Sequence, residues 1–228
     1  MMKSVLAIFA LFIFLHCSGD SPEPDKATRE EAEHAVYADP PHTDGHADGD
    51  LNILFIGNSL TFSNGLPGRV AKLASADGTD MHTDMVAKPN YALEDHIADG
   101  DIQKMIEQNQ YDFVVIQQGP SSQADGRESL VTFGGMIKQL CEKAGAKLIY
   151  FMVWPSKTYY YTFDGVIENY RNGAIQNDAL LAPVGEVWKN HFDQTGDFSY
   201  YGYDGFHPSQ AGSEVAAAII LKTILDNQ

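Results

Sequence analysis

The chain has 228 residues, 44% of them hydrophobic and 11% aromatic, which is enough apolar material for one domain with a substantial core and too much for a wholly disordered chain. Its formal charge of −16 is spread unevenly: residues 18–50 hold ten acids and two bases, and residues 51–228 hold twenty-one acids and twelve bases. Neither part offers the basic surface that a nucleic-acid backbone requires, so nucleic acid is excluded as a partner.

At the N-terminus, Lys3 precedes eleven apolar residues, Val5 to Leu15, in the layout of an export signal. A helix of that length rises about 16 Å, short of a hydrocarbon core of roughly 30 Å, so residues 1–17 read as a signal and not as a membrane span. Cys17 directly after the apolar run resembles the lipidated cysteine of bacterial lipoprotein signals, which implies a membrane anchor facing the periplasm or the cell exterior; ordinary signal cleavage nearby is the alternative. Residues 18–50 are rich in Asp, Glu, Pro, Gly and Ala and carry too little apolar surface to offset the entropy of ordering, so they read as an acidic tether. His34, His42 and His46 lie among its aspartates, where a solvated linker is the simpler reading and metal capture the other. Cys141, the remaining cysteine, sits in an amphipathic pattern with no positioned base beside it and is expected to be inert.

From Leu51 onward apolar runs alternate with helical patterns. Strands are expected near 52–56, 82–87, 112–117, 147–153 and 179–182. Helices are expected near 66–76, 93–108, 128–144 and 163–176, with a last one from about 208 to 226. Runs such as Phe113-Val114-Val115-Ile116 are continuously apolar, as in parallel strands buried on both faces. The β-α order then gives an α/β fold over residues 51–228: a three-layer α/β/α sandwich around a flavodoxin-like, doubly wound, five-stranded parallel sheet. Its binding crevice lies beyond the carboxyl ends of the strands.

The polar residues of interest fall on that rim. In "FIGNSLTF" (residues 55–62) an apolar strand ends in Gly57-Asn58-Ser59, either a plain turn in which Asn58 or Ser59 caps the next helix or a device that stands the Ser59 hydroxyl at the strand's exposed end. In "YGYDGFHPSQAG" (201–212), Asp204 precedes His207 by three residues. A tight turn then lets the carboxylate fix one imidazole nitrogen while the other faces outward, able to take a proton from a serine hydroxyl. Alternatively, Asp204 or His207 caps the final helix.

Together, Ile56-Gly57-Asn58-Ser59-Leu60 and Asp204-Gly205-Phe206-His207-Pro208-Ser209 resemble the first and last blocks of the SGNH (GDSL-type) hydrolases, a family of serine esterases and lipases. The resemblance covers about residues 51–226. It implies a Ser59-His207-Asp204 catalytic triad, an acyl-enzyme on Ser59 and no cofactor or metal. Thr61 stands where the second glycine of a G-x-S-x-G elbow would be, which separates the chain from the α/β-hydrolases. The middle blocks depart from the family, which presents a glycine after strand two and a Gly-x-Asn after strand three as oxyanion donors. Here the glycine position falls at Asn90, whose backbone N–H can still donate, and the asparagine position at Ser121. Gln117 and Gln118 carry the same amide as asparagine on a longer stem and compete with Ser121 for the third donor, beside the Ser59 amide.

The loop "VWPSKTYYYTFD" (153–164) offers Trp154 and Tyr160, with Tyr159, Tyr161 and Phe163, as an aromatic platform for a sugar or as packing. Asn58 is a further substrate-binding candidate, and His96 is read as a helix residue shaping the rim. No CxxC, HExxH or GxxxxGK[ST] pattern occurs, so metal, redox and nucleotide chemistry lack a motif. The expected function is hydrolysis of an ester with a short acyl group on a carbohydrate or other polar carrier. The rival is a surface lipoprotein that keeps the fold and binds a glycan without turning it over.

Overall fold

The computed structural model describes residues 51–228; the signal, Cys17 and the tether expected at 1–50 lie outside the described residues. Five strands form one parallel sheet: β1 (Leu51–Gly57), β2 (Met81–Ala87), β3 (Phe113–Ile116), β4 (Lys147–Phe151) and β5 (Leu180–Ala182). Their order is β2-β1-β3-β4-β5, the doubly wound arrangement expected from the sequence. β1 and β3 are central and pair in parallel from Ile53 with Phe113 to Ile56 with Ile116. Both strands are sealed on both faces, which explains why their sequences run apolar without alternation.

The helices are α1 (Ser59–Phe62, a single turn), α2 (Leu66–Ala76), α3 (Leu93–Asp99), α4 (Asp101–Gln108), α5 (Ala124–Ala144), α6 (Phe163–Gln176), α7 (Val184–Thr195) and α8 (Gln210–Leu225). α2 packs on α8, whereas α3, α4, α5 and α6 pack along one another, giving the two helical layers. One helix expected over 93–108 is broken into α3 and α4 by Gly100, whose φ of 77° is left-handed and ends the first segment. α5 begins at Ala124, before the expected 128. α7 was not expected at all. Its buried Val184, Trp188 and Phe192 recur at a helical spacing of four, and it stops at Gly196 in the left-handed conformation.

Trp188 seats α7 by stacking on Trp154 with ring centroids 3.6 Å apart. Trp154 is wholly buried and donates its indole N–H to the Phe206 carbonyl at 2.9 Å. The core thus reaches up to the loop between α7 and α8 and fixes one of its peptide groups.

Candidate active site

At the carboxyl end of β1 the chain makes its turn through Gly57. A Cβ there would lie 2.2 Å from Thr61 Oγ1 and 2.6 Å from Gln117 Oε1, so only glycine fits. Asn58 follows in extended conformation and caps α1, its Oδ1 accepting from the Leu60 N–H at 3.2 Å. The two readings of this stretch therefore coexist: Asn58 is the cap, and Ser59, first residue of the turn, carries its hydroxyl to the rim.

There it meets His207. The Ser59 hydroxyl lies 2.9 Å from His207 Nε2, and His207 Nδ1 lies 2.6 Å from Asp204 Oδ2. With Nδ1–H donating to the carboxylate, Nε2 presents its lone pair to the serine hydroxyl. The other carboxylate oxygen of Asp204 accepts from the backbone N–H groups of Phe206 at 2.9 Å and His207 at 3.0 Å. Partial burial opposes ionisation of Asp204, but these three hydrogen bonds outweigh it and hold the carboxyl below its ordinary range. The alternative in which Asp204 or His207 caps the last helix is overturned: the cap of α8 is Ser209, whose Oγ accepts from the Gly212 N–H at 3.1 Å.

The loop that presents this pair is tied on several sides. Gly202 N–H donates to the His207 carbonyl at 2.7 Å, and Lys157 N–H to the Gly205 carbonyl at 2.8 Å. Asn64, just past α1, donates to the Pro208 carbonyl at 2.9 Å and to Ser213 Oγ at 2.9 Å. Asn64 thereby links the serine's own segment to the histidine's, a role sequence reasoning missed.

A cavity of about 340 Å³ opens beside Ser59, lined by Asn58, Asn90, Tyr91, Gln118 and Phe206 among others. Asn90 has a φ of 63°, a backbone state natural for glycine and tolerated by asparagine, which fits a position where the resemblance leads one to expect glycine. Asn58 Nδ2 donates to the Tyr91 carbonyl at 3.0 Å and holds this loop in place, so both ends of the Asn58 carboxamide are engaged with the protein. Gln118 Oε1 accepts from Ser129 Oγ at 3.0 Å and from the Leu93 N–H at 3.4 Å, which commits the oxygen and leaves the amide NH₂ as the end that can serve the cavity. Its backbone is clasped by the Tyr170 hydroxyl, which accepts from its N–H and donates to its carbonyl.

Four expected residues are placed elsewhere. Gln117 is buried beneath the turn, its Oε1 accepting from the Asn58 N–H at 2.9 Å and the Thr61 hydroxyl at 2.8 Å; neighbouring residues at a strand end point to opposite sides, and Gln117 has the inner one. Ser121 lines a separate depression, and its Oγ accepts from the Gln123 N–H at 3.2 Å. Trp154 is core, as described. Tyr160 packs among Phe163, Phe192 and Phe198 and donates to Asp193 at 2.6 Å, so the exposed aromatics of this loop are Tyr159 and Tyr161.

His96, in α3, is also buried, with Nε2–H donating to the Gly57 carbonyl at 2.8 Å and its ring centroid 5.1 Å from that of Tyr91, so it shapes the rim from behind the serine turn. Burial lowers its pKa, which favours the neutral ring. Cys141 is buried in α5, and burial pushes its thiol up to about 12, as an inert core cysteine requires.

No protein-family model matches the chain, and no curated protein matches it. Solved structures do. A protein from Slackia heliotrinireducens, provisionally described as an SGNH hydrolase, is 25% identical with a TM-score of 0.66, over 77% of this chain and 99% of that one. A lipase/acylhydrolase from Enterococcus faecalis is 18% identical with a TM-score of 0.59, over 76% and 95%. An acetyl xylan esterase from Geobacillus stearothermophilus, solved as a substituted variant, is 16% identical with a TM-score of 0.62, over 77% and 95%. Residues 51–228 therefore adopt the fold of the SGNH hydrolases.

Proposed function

We propose that the protein is a serine esterase that removes a short acyl group from a carbohydrate or other polar carrier. The observation that carries this reading is the continuous hydrogen-bonded chain from Ser59 Oγ through both nitrogens of His207 to Asp204. A serine hydroxyl is too weakly acidic to attack an ester unaided, and this arrangement supplies the base.

Ser59 Oγ attacks the carbonyl carbon as its proton passes to His207 Nε2, and Asp204 holds the tautomer and stabilises the imidazolium. The negative charge developing on the carbonyl oxygen is met by the backbone N–H groups of Ser59 and Asn90 and by the Gln118 amide. Collapse of the adduct breaks the bond to the alcohol oxygen, which takes the proton from His207 and leaves. Water, deprotonated by His207, then attacks the acyl carbon and releases the acid, returning the proton to Ser59. The mostly neutral lining of the cavity and its modest volume support a short acyl group.

Release of acid from a short-chain ester by the purified protein and by Ser59→Ala tests the reading. Turnover by the first and background by the second supports it. Background rates from both would favour the glycan-binding rival.

The proposal extends to location: an exported protein anchored to a membrane through lipidated Cys17, with residues 18–50 as the spacer between anchor and hydrolase domain. Its support is the signal layout of residues 1–17. Metabolic labelling with a fatty-acid analogue, lost in Cys17→Ser, checks it.

A further inference from the structure

A second depression adjoins the cavity beside Ser59. Its volume is about 420 Å³, within the roughly 300–1,000 Å³ of small-molecule sites. The two share Pro120 and Phe206 as a common wall. On the far side of that wall the lining changes character: Ser121, Ser122, Ser156 and Thr162 bring hydroxyls, Tyr159 brings an aromatic ring, and no charged residue lines the space. Tyr159 is 57% exposed although large and aromatic.

The site is built and not a gap between mobile loops. The backbone of its serine segment is held by Asn169, which is 4% exposed and donates to the carbonyls of Ser121 at 2.8 Å and Gln123 at 2.9 Å. Two helices press on the same segment where only glycine leaves room: a Cβ at Gly126 would lie 2.2 Å from the Ser121 side chain, and one at Gly165 would lie 2.7 Å from Ser122 Cβ. The turn bearing Tyr159 is fastened to the His207 loop by the hydrogen bond from Lys157 N–H to the Gly205 carbonyl at 2.8 Å. The Lys157 ammonium itself turns toward Phe198, 4.5 Å from the ring centroid.

We infer that this depression is the alcohol-side subsite and takes the ring of a neutral sugar, which makes the substrate an O-acylated neutral glycan. The inference rests on the esterase reading. In that reaction the alcohol oxygen must end within reach of His207 Nε2 to receive its proton as the carbon–oxygen bond breaks, while the acyl group stays on Ser59. Phe206, next to His207, forms the wall between the two spaces. The oxyanion donors lie on the other side, so the acyl group belongs with them and the alcohol with Tyr159. A hydroxyl-lined hollow with the rings of Tyr159 and Phe206 matches the edges and apolar face of a sugar, and it offers a carboxylate or ammonium no counter-charge.

The test pairs two esters, a mono-O-acetylated neutral oligosaccharide and vinyl acetate, whose alcohol part is too small to fill the hollow. In Tyr159→Ala the ratio of kcat/KM for the sugar ester to that for vinyl acetate should fall roughly tenfold, the loss expected of one ring contact. Tyr159→Phe should restore most of it. In parallel, the Ser59→Ala protein should bind the deacetylated neutral oligosaccharide, a uronic-acid oligosaccharide more weakly, and both less well once Tyr159→Ala is added. An unchanged ratio, or sugar binding indifferent to Tyr159, overturns the subsite. If neither ester is hydrolysed and the neutral oligosaccharide still binds through Tyr159, the subsite stands as a sugar site and the esterase reading falls.

Discussion

Asn64 and Pro208 lie 144 positions apart and are joined by a 2.9 Å hydrogen bond from the Asn64 side-chain amide to the Pro208 carbonyl. The same amide reaches Ser213 Oγ, and Asn64 Oδ1 accepts from Gln210 Nε2 at 2.9 Å. One side chain beside the serine turn therefore fastens the chain on either side of His207's helix boundary. Asn64→Asp keeps the shape and tolerates the φ of 56°, but it turns an oxygen toward the Pro208 and Ser209 carbonyls, to which the Asn64 amide donates at 2.9 and 3.2 Å. The expected result is a fall in kcat of up to about 10², the cost of misplacing reacting groups by an ångström, with KM little altered. Steady-state kinetics on a short-chain ester decide it, and an unchanged kcat, with any fall in kcat/KM arising from KM alone, would remove Asn64 as a positioning residue.

Asp204 sets the tautomer of His207 through the 2.6 Å contact to Nδ1. Asp204→Asn presents an amide that can favour the wrong tautomer, and kcat should drop by up to about 10⁴. The pre-steady-state acylation rate reads the effect, and wild-type acylation in this variant would detach Asp204 from the chemistry.

The neighbouring glutamines should separate in kcat: each holds two donors through its Oε1, but Gln118 alone is assigned to the oxyanion. Gln118→Leu removes the amide assigned to the oxyanion and should lower kcat by about 10² to 10³, or roughly 3 kcal/mol of transition-state stabilisation. Both substitutions strand donors, the Leu93 N–H and Ser129 hydroxyl in Gln118→Leu and the Asn58 N–H and Thr61 hydroxyl in Gln117→Leu, so each should lose about 1–3 kcal/mol of folding stability for each buried group left unpaired, with Gln117→Leu lacking the oxyanion loss. Urea unfolding beside kinetics on both variants separates the two effects, and a larger fall in kcat in Gln117→Leu would exchange their roles.

Buried His96 gives a pH dependence of defined sign. Burial holds its folded pKa below the 6.5 of a free imidazole, so as pH falls below about 6.5 the unfolded chain gains a proton that the native state refuses. Stability is then lost toward acid, by at most about 1.4 kcal/mol per pH unit, until the folded pKa is reached. His96→Gln keeps a donor for the Gly57 carbonyl and cannot titrate. Urea unfolding at pH 7.5 and 5.5 should show a smaller acid loss in the variant than in the native protein, and equal losses would assign the effect to other groups.

Much of this was legible in the sequence because each feature had a local cause. The parallel strands announced themselves through unbroken apolar runs, and Gly57-Asn58-Ser59 and Asp204-Gly205-Phe206-His207 sit at the ends where a doubly wound sheet concentrates its chemistry. What was illegible depends on facing. Whether Gln117 or Gln118 looks into the cavity is decided by strand register, and whether Trp154 or Tyr159 meets solvent is decided by α7, whose Trp188 claims Trp154. The periodicity of α7 is present in Val184, Trp188 and Phe192, but Pro183 and two nearby glycines, Gly185 and Gly196, mask it as loop. The bonds of Asn64 could not be read, since nothing near position 64 in the sequence points to Pro208.

The most direct measurement is covalent labelling with an organophosphorus probe, followed by peptide mapping. The account predicts a single adduct on Ser59 that forms far more slowly in His207→Gln. No adduct, or one on a different serine, would contradict it.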